Sequence, residues 1–418
     1  MRPLVLLALA LTACPGDDVT DGGGVGEGEG EGEGEGEGEG EGEGEGEGEG
    51  EGEGEAAPPC AVDDVTVPVL EPVAGELFLM HIGLGGFALG EATLGQLPDG
   101  TRFVIDVGND SHSDDVVDAV DDVFGVRALD VAVLTHHHAD HEDGMTDLLQ
   151  DVDVGVVVHR GFTDVTAAAN DNTVQALCDL RAGGQEMLEL CVTMTGNCTA
   201  SASLAPATSC PGLAETFGGG ALRLIAANAT TADGAGYATL VGPLEENDSN
   251  GENGRSVVVV LAHGAFRAVY AGDLTGGGSD TDPVEAFLVT QLGARLPAAD
   301  VHHLSHHARD TSSQAAWLTA TMPLDGRPRS AIAGISTAHV GSPHASVVDA
   351  VSAHLGGASL WVTRVAATGD GDGVVSADGG SIRVRTEDGG ARYVVQAVGP
   401  DGRVIRSERV TSGLACTP

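Results

Sequence analysis

The apolar run Leu129–Leu134 leads directly into Thr135-His136-His137-His138-Ala139-Asp140-His141, which places four imidazoles and one carboxylate within six positions. No other feature constrains the fold as strongly. Imidazole nitrogen and carboxylate oxygen are the ligands preferred by Zn²⁺ and similar borderline metals. Alternate residues leaving a strand end point to one side, so His136 and His138 form one half-site, and Asp140 and His141 face a second.

Partners for this cluster recur downstream at other strand ends. Arg267–Tyr270 reads as a strand that runs into Ala271-Gly272-Asp273, where a carboxylate could bridge two ions. Asp300–Leu304 runs likewise into Ser305-His306-His307. Each fragment alone is weak, because Gly-Asp after a strand is usually a turn. In this order behind a histidine cluster they are strong together. His159, after Val156-Val157-Val158, is a positional candidate for a further ligand, or else a strand-end histidine bonded to backbone or water.

Around these ends the chain alternates strand-like and helical stretches. Strands are expected over Gly75–Ile82, Phe87–Leu94, Thr101–Val107, Leu129–Leu134, Val152–His159, Ser256–Ala262 and Ala265–Ala271, and β-hairpins over Ala358–Val410. Ser113–Phe124 carries Val116, Val117, Val120 and Val123 among aspartates, an amphipathic helix with Ser113 as its cap. Thr311-Ser312-Ser313 precedes a helix expected over Gln314–Ala320, and its hydroxyls and free N–H groups suit either a plain cap or a phosphate. His344, before another helical run, fits either a supporting position near the site or the surface. Segment 161–220 breaks the alternation, is rich in turn residues, and carries four cysteines; it reads as a disulfide-stapled insertion.

The amino terminus has the layout of an export signal. Arg2 precedes the apolar run Leu4–Leu11, and Leu11-Thr12-Ala13-Cys14 resembles a bacterial lipoprotein processing site that leaves lipid on Cys14. Residues 1–14 are therefore expected to be a lipoprotein signal with its lipidated cysteine. Residues 15–59, dominated by an alternating Gly-Glu run from Gly26 to Glu55, have nothing to bury and form a disordered tether. Residues 60–418 form the folded body. Localisation follows as exported and lipid-anchored, with the outer membrane favoured and either face open. Cys60, Cys178, Cys191, Cys198, Cys210 and Cys416 are an even set in an oxidising compartment; Cys60 is expected to pair with Cys416 because the two bracket the body.

The charge is -45, from 64 acidic and 19 basic residues, all of the latter arginine. Setting aside the 18 acids and one arginine before Cys60 still leaves 46 acids against 18 arginines. This balance excludes a basic nucleic-acid clamp and opposes a polyanionic substrate. Nucleic acid stays an open question as a partner, and a small anionic ester needs less attraction.

The motif series resembles the metallo-β-lactamase superfamily, whose His-x-His-x-Asp-His pattern is matched at His136, His138, Asp140 and His141. It is most similar to the hydrolase domain of ComEC-type DNA-uptake proteins, through Gly83-Leu84-Gly85, Ile105-Asp106-Val107-Gly108, His136–His141, Gly272-Asp273 and His306-His307. The resemblance spans about Gly75 to Val398, excluding the insertion. It departs at Gly83–Gly86 and at Ala308-Arg309, where that family has Gly-Ser after its paired histidines.

The resemblance implies an α+β fold: a four-layer αβ/βα sandwich with the metals at one edge. One metal would be held by His136 and His138, the other by Asp140, His141 and His306, with Asp273 bridging. The cofactor implied is zinc, one or two ions, with manganese or iron compatible. Asp106 would support a ligand imidazole. Asp140 and His307 are the residues expected to act catalytically, His307 by orienting substrate or protonating a leaving group. Two adjacent cations lower the pKa of a bound water from 15.7 toward about 7, giving hydroxide as nucleophile at neutral pH. The activity implied is a hydrolase, by analogy a phosphodiesterase. A β-lactam, lactone or other carboxylic-ester hydrolase uses the same groups, and an inactive metal-binding surface protein is the reading from another class. Partners are then a small-molecule or phosphodiester substrate and, through lipid on Cys14, a membrane; no protein partner is inferred.

Overall fold

Four strands end at the histidine and aspartate motifs, and the layers around them explain why those strands are buried along most of their length. The computed structural model describes residues 60–86, 88–161, 171–191, 210–234, 236–242, 244 and 249–416. The signal and tether, Cys14 among them, lie outside the described residues, as does Cys198.

The first half contains β1 (Val62–Asp64), β2 (Phe78–His81), β3 (Ala92–Gln96), β4 (Arg102–Val107), α1 (Ser113–Phe124), β5 (Ala128–Leu134), α2 (Ala139–Glu142), α3 (Met145–Asp151), β6 (Asp153–His159), α4 (Asp171–Gly183) and β7 (Met187–Glu189). Next come β8 (Thr216–Phe217), β9 (Leu222–Ala227), β10 (Thr230–Thr231), α5 (Tyr237–Leu240), α6 (Ser249–Asn253), β11 (Val258–His263), β12 (Phe266–Tyr270), α7 (Val284–Leu292) and β13 (Val301–His303). The chain closes with α8 (Ala315–Thr321), β14 (Ser330–Ala333), α9 (Ala345–Ser352), β15 (Leu360–Val362), β16 (Val374–Ser376), β17 (Ser381–Glu387), β18 (Arg392–Val398) and β19 (Val404–Thr411).

These strands make two mixed sheets. The first runs β1-β19-β18-β17-β2-β3-β4-β5-β6-β7, parallel from β4 to β7; the second runs β10-β9-β11-β12-β13-β14-β15-β16, parallel from β12 onward. Parallel strands are covered on both faces and so read as continuous apolar runs. Between the sheets Phe103, Val133, Leu224, Val259, Ile332, Trp361 and Tyr393 form one core. Outside the first sheet, Val104, Ala132 and Val157 meet Val116, Val120, Leu148 and Leu177 of α1, α3 and α4. Outside the second, α7, α8 and α9 cover it through Leu288, Trp317, Leu318 and Val348. Helices, sheet, sheet, helices is the four-layer order expected. Among the described residues no helix is long and apolar enough to cross a membrane.

Several local expectations are corrected. Ser113 opens α1, but its hydroxyl donates back to the Asp110 carbonyl and caps nothing; the cap is one turn earlier, where the Asn109 side chain accepts from Ser111 N before a 3₁₀ turn. Segment 161–220 does not wholly break the alternation, since α4 and β7 extend it and β7 adds parallel to β6. The stapling is present: Cys191 bonds Cys210, Cys60 bonds Cys416, and Cys178 is also disulfide-bonded. Of the region after Ala358, only β17, β18 and β19 form hairpins; β15 and β16 join the second sheet in parallel.

Candidate metal centre

The carboxyl ends of β4 and β5 in one sheet and of β12, β13 and β14 in the other deliver the chemistry to one edge of the sandwich. Two groups of side chains there have ligand atoms mutually within 4.8 Å: Asp140, His141, Asp273 and His307, and His136, His138 and Asp273. Asp273 belongs to both. Its Oδ1 lies 3.3 Å from His141 Nε2 and 3.7 Å from His307 Nε2, while Oδ2 lies 3.9 Å from His136 Nε2 and 3.7 Å from His306 Nε2. Asp140 Oδ2 lies 3.6 Å from His307 Nε2 and 4.0 Å from His141 Nε2.

The two adjacent histidines exchange the places given to them by the motif series. His307 joins Asp140, His141 and Asp273, and His306 sits on the other side of Asp273, with Nδ1 against Thr311 Oγ1 at 2.5 Å and Nε2 3.5 Å from Asn253 Nδ2. The reason is backbone conformation. His306, His307 and Ala308 have φ of 53°, 55° and 59°, three successive non-glycine residues in the left-handed region, so the turn reverses which ring faces which half-site. Asp106 is held in the same region at φ 55°.

Hydrogen bonds set the tautomers so that lone pairs converge. Asp106 Oδ2 accepts from His141 Nδ1 at 2.8 Å and from Thr135 Oγ1 at 2.8 Å, and its Oδ1 accepts from Thr135 N at 2.7 Å. Thr135 Oγ1 in turn lies 3.1 Å from His136 Nδ1 and can accept its proton. His307 Nδ1 donates to the Gly334 carbonyl at 2.9 Å, with Glu91 Oε2 also 2.9 Å away. His141, His136 and His307 are thus left with Nε2 as the free ligand atom. His136 Nε2 and His138 Nδ1 stand 2.9 Å apart, an approach two lone pairs make only around a shared proton or cation. His137 points the opposite way, with one ring nitrogen on Glu142 and the other on the Gly161 carbonyl; its backbone N–H donates to Glu252, which also takes a forked pair from buried Arg160. This buried network holds the motif loop from behind.

Gly272 fits the loop before Asp273 for two reasons. Its φ is 49°, and a Cβ there would stand 2.6 Å from Thr135 Oγ1, so any side chain would push β12 and β5 apart.

Charge follows from this packing. Burial lowers the affinity of His141 for a proton, yet Asp273, Asp106 and Asp140 outweigh it and hold the ring well above the ordinary histidine range. For His307 burial is likewise overcome, by Asp273, Asp140 and Glu91, to about 10. Burial also acts against the charges of Asp140 and Asp273, but the surrounding imidazoles hold both well below the usual carboxylate range. The carboxylates are anionic and facing histidines attract a positive charge, which is the field a divalent cation would meet.

Other sequence candidates fall elsewhere. His159 is buried with Nδ1 accepting from Gly161 N at 3.2 Å and belongs to neither ligand group. His344 is exposed and bonds Ser346. The head of α8 is no phosphate site: buried Glu285 accepts from Ser313 N and Gln314 N at 2.7 and 2.8 Å.

Sequence reasoning missed Glu91 and His339. Glu91 links His307 to buried His303, its Oε1 2.5 Å from His303 Nε2. His339 stacks on His307 with centroids 3.6 Å apart, and its Nε2 lies 3.8 Å from Asp140. A signal for His339 existed, since it follows the apolar strand β14 as His136, Asp273 and His306 follow theirs. A cavity of about 430 Å³ opens onto these groups, lined by Leu89, His138, Asp140, Asn253, His306, Arg309 and His339 among others.

No family model matches the chain, and no curated protein does. Among solved structures it is similar to a metallo-beta-lactamase from Pontibacter korlensis, at 14% identity over 59% of this chain and 89% of that one, with a TM-score of 0.30. It is similar to a diphosphatase from the PhnP family, at 13% identity over 74% and 98%, TM-score 0.34. A third is Igni18, a metallo hydrolase from the archaeon Ignicoccus hospitalis KIN4/I, at 13% identity over 70% and 97%, TM-score 0.33. At such distances function has to be argued from the site itself.

Proposed function

We propose that this chain is an exported, lipid-anchored, metal-dependent hydrolase that cleaves phosphodiester bonds in small substrates. The observation that carries the reading is the sharing of Asp273 between two convergent ligand groups. The residues fit a metal: among the described residues His141 Nε2, His307 Nε2 and Asp273 Oδ1 are buried without hydrogen-bond partners, a cost a cation would remove. His136 and His138 would hold one ion, Asp140, His141 and His307 a second, with Asp273 between and His306 beside it. Zinc suits these donors best, and manganese or iron can use them.

Divalent cations bound there would supply an acidified water and a Lewis acid for the scissile phosphoryl oxygen. The chain's own groups do the rest. Asp106 fixes the His141 tautomer, and Gly334 with Glu91 fixes that of His307. His339 Nδ1 accepts from Ser336 N at 2.8 Å, so its proton sits on Nε2, facing Asp140 and the cavity as a donor for a substrate oxygen. The preference for a phosphodiester over a carbonyl rests on the likeness of the motif series to ComEC-type hydrolase domains. Export and anchoring rest on Leu11–Cys14, and the disulfides support passage through an oxidising compartment. The outer membrane is the proposed destination.

The test is metal content by mass spectrometry together with hydrolysis of bis-4-nitrophenyl phosphate and nitrocefin. About two metals with diester turnover support the reading; nitrocefin turnover alone moves it to carbonyl substrates; one or no metal without turnover moves it to the binding-protein reading.

A further inference from the structure

Arginines in this acidic chain are mostly neutralised: Arg127, Arg160, Arg329, Arg383, Arg392 and Arg409 each pair with a carboxylate. Arg309 lacks such a partner, as do Arg102 and Arg364, but of these three it is the one that lines the cavity beside the candidate metal centre. Among the described residues no carboxylate partner or side-chain hydrogen bond engages its guanidinium, although the chain carries more than three acids for each arginine. It is half-buried, and it lines the same cavity as Asp140, Asp273, His306, His307 and His339. The left-handed turn His306–Ala308 delivers it there, with Arg309 N closing the turn on the His306 carbonyl at 3.0 Å. Asp310, next in the chain, is already occupied by Ser279 at 2.8 Å.

We infer that Arg309 receives a second anionic group on the substrate, a carboxylate or a phosphate separate from the scissile ester. This rests on the hydrolase reading above and names its substrate class: small esters with an anionic group beyond the bond that breaks. Two physical points support it. The body's net negative charge repels anions at long range, so recognition has to be local, within a Debye length of about 8 Å. A guanidinium presents a planar fork that matches carboxylate and phosphate with two parallel hydrogen bonds, which an ammonium does not. Leu89, 40% exposed and lining the same cavity, offers an apolar contact to the remainder of such a molecule.

The experiment compares kcat/KM for bis-4-nitrophenyl phosphate with analogues bearing a carboxylate or a phosphate on the ring that is not released, using the zinc-loaded full chain. Wild type is expected to favour a charged analogue by about tenfold or more, equivalent to roughly 1.4 kcal/mol. In R309Q that preference collapses toward one, and in R309K part of it returns, which separates charge from a folding defect. The better of the two charged analogues identifies the anion. A preference that survives in R309Q, or is absent from wild type, overturns the inference. If no diester is hydrolysed the hydrolase reading fails by itself, and calorimetric titration of the zinc-loaded protein with inorganic phosphate and with benzoate still decides: binding of either at least about tenfold weaker in R309Q supports the anion site, and equal binding of both overturns it.

Discussion

Asp140 and Asp106 lie within a few ångströms of the same histidine and are expected to fail in different ways. Asp140 touches the cavity and belongs to the ligand group, so D140N should lower turnover of any substrate at least about 100-fold and reduce metal content by about one ion, read by mass spectrometry. Among the described residues the Asp106 carboxylate is hydrogen-bonded to Thr135 and His141, so D106N should weaken metal affinity by roughly 10- to 100-fold, measured with a competing chelator, and regain activity at high metal. If D106N binds metal as tightly as wild type, the supporting role is lost. At this scale the sequence was informative where a histidine or aspartate follows a strand end, and the fold brings His136, His138, Asp140, His141 and Asp273 together at one edge. The sequence could not tell His306 from His307, because both leave β13 and only three left-handed φ values decide between them. Glu91 was illegible, since it precedes β3 and reaches His307 only through the fold.

Between elements, α7 and α8 are joined by one buried carboxylate. Glu285 of α7 accepts the two N–H groups at the head of α8 and has no cation partner among the described residues, so burial pushes its pKa up to about 8. The native state therefore holds this proton more tightly than the unfolded chain, for which about 4.5 applies. Stability from this source is fully present below pH 4.5 and is lost as pH rises through 8, at about 1.4 kcal/mol per pKa unit. Asp300, raised to about 6 by burial despite backbone donors at Arg267 and Gly413, acts in the same direction over a lower window. Urea midpoints at pH 5.0 and 8.5 should show wild type weakening at the higher pH, and E285Q should weaken less by a few kcal/mol. An identical pH difference in both proteins would exclude Glu285 as its source. The sequence placed α8 within one residue and gave its cap to Thr311–Ser313, because hydroxyl residues before a helix are the usual signal. A carboxylate 28 residues upstream leaves no local trace. Helix α1 was found end to end from its valine spacing, whereas its cap was misplaced because the 3₁₀ turn in front of it repeats the same polar residue types.

Across the whole molecule, the pairing of Cys60 with Cys416 joins the two ends of the folded body, and here legibility came from placement, because the two cysteines bracket that body in the sequence. Their separation of 356 residues contrasts with 19 for Cys191–Cys210. If disulfides act chiefly by restricting the unfolded chain, loop length gives about 6 kcal/mol for the long link and about 3 kcal/mol for the short one. The long link also holds β1 against β19, whose pairing Val62 with Val410 begins two residues from Cys60, so its native effect adds to the entropic one. C60S/C416S should therefore lower the urea midpoint more than C191S/C210S, with metal loading held constant because bound ions stabilise the folded state independently. Equal losses, or a larger loss from the short link, would show that Cys191–Cys210 acts through native packing beside Leu190 and Leu213 rather than through chain entropy.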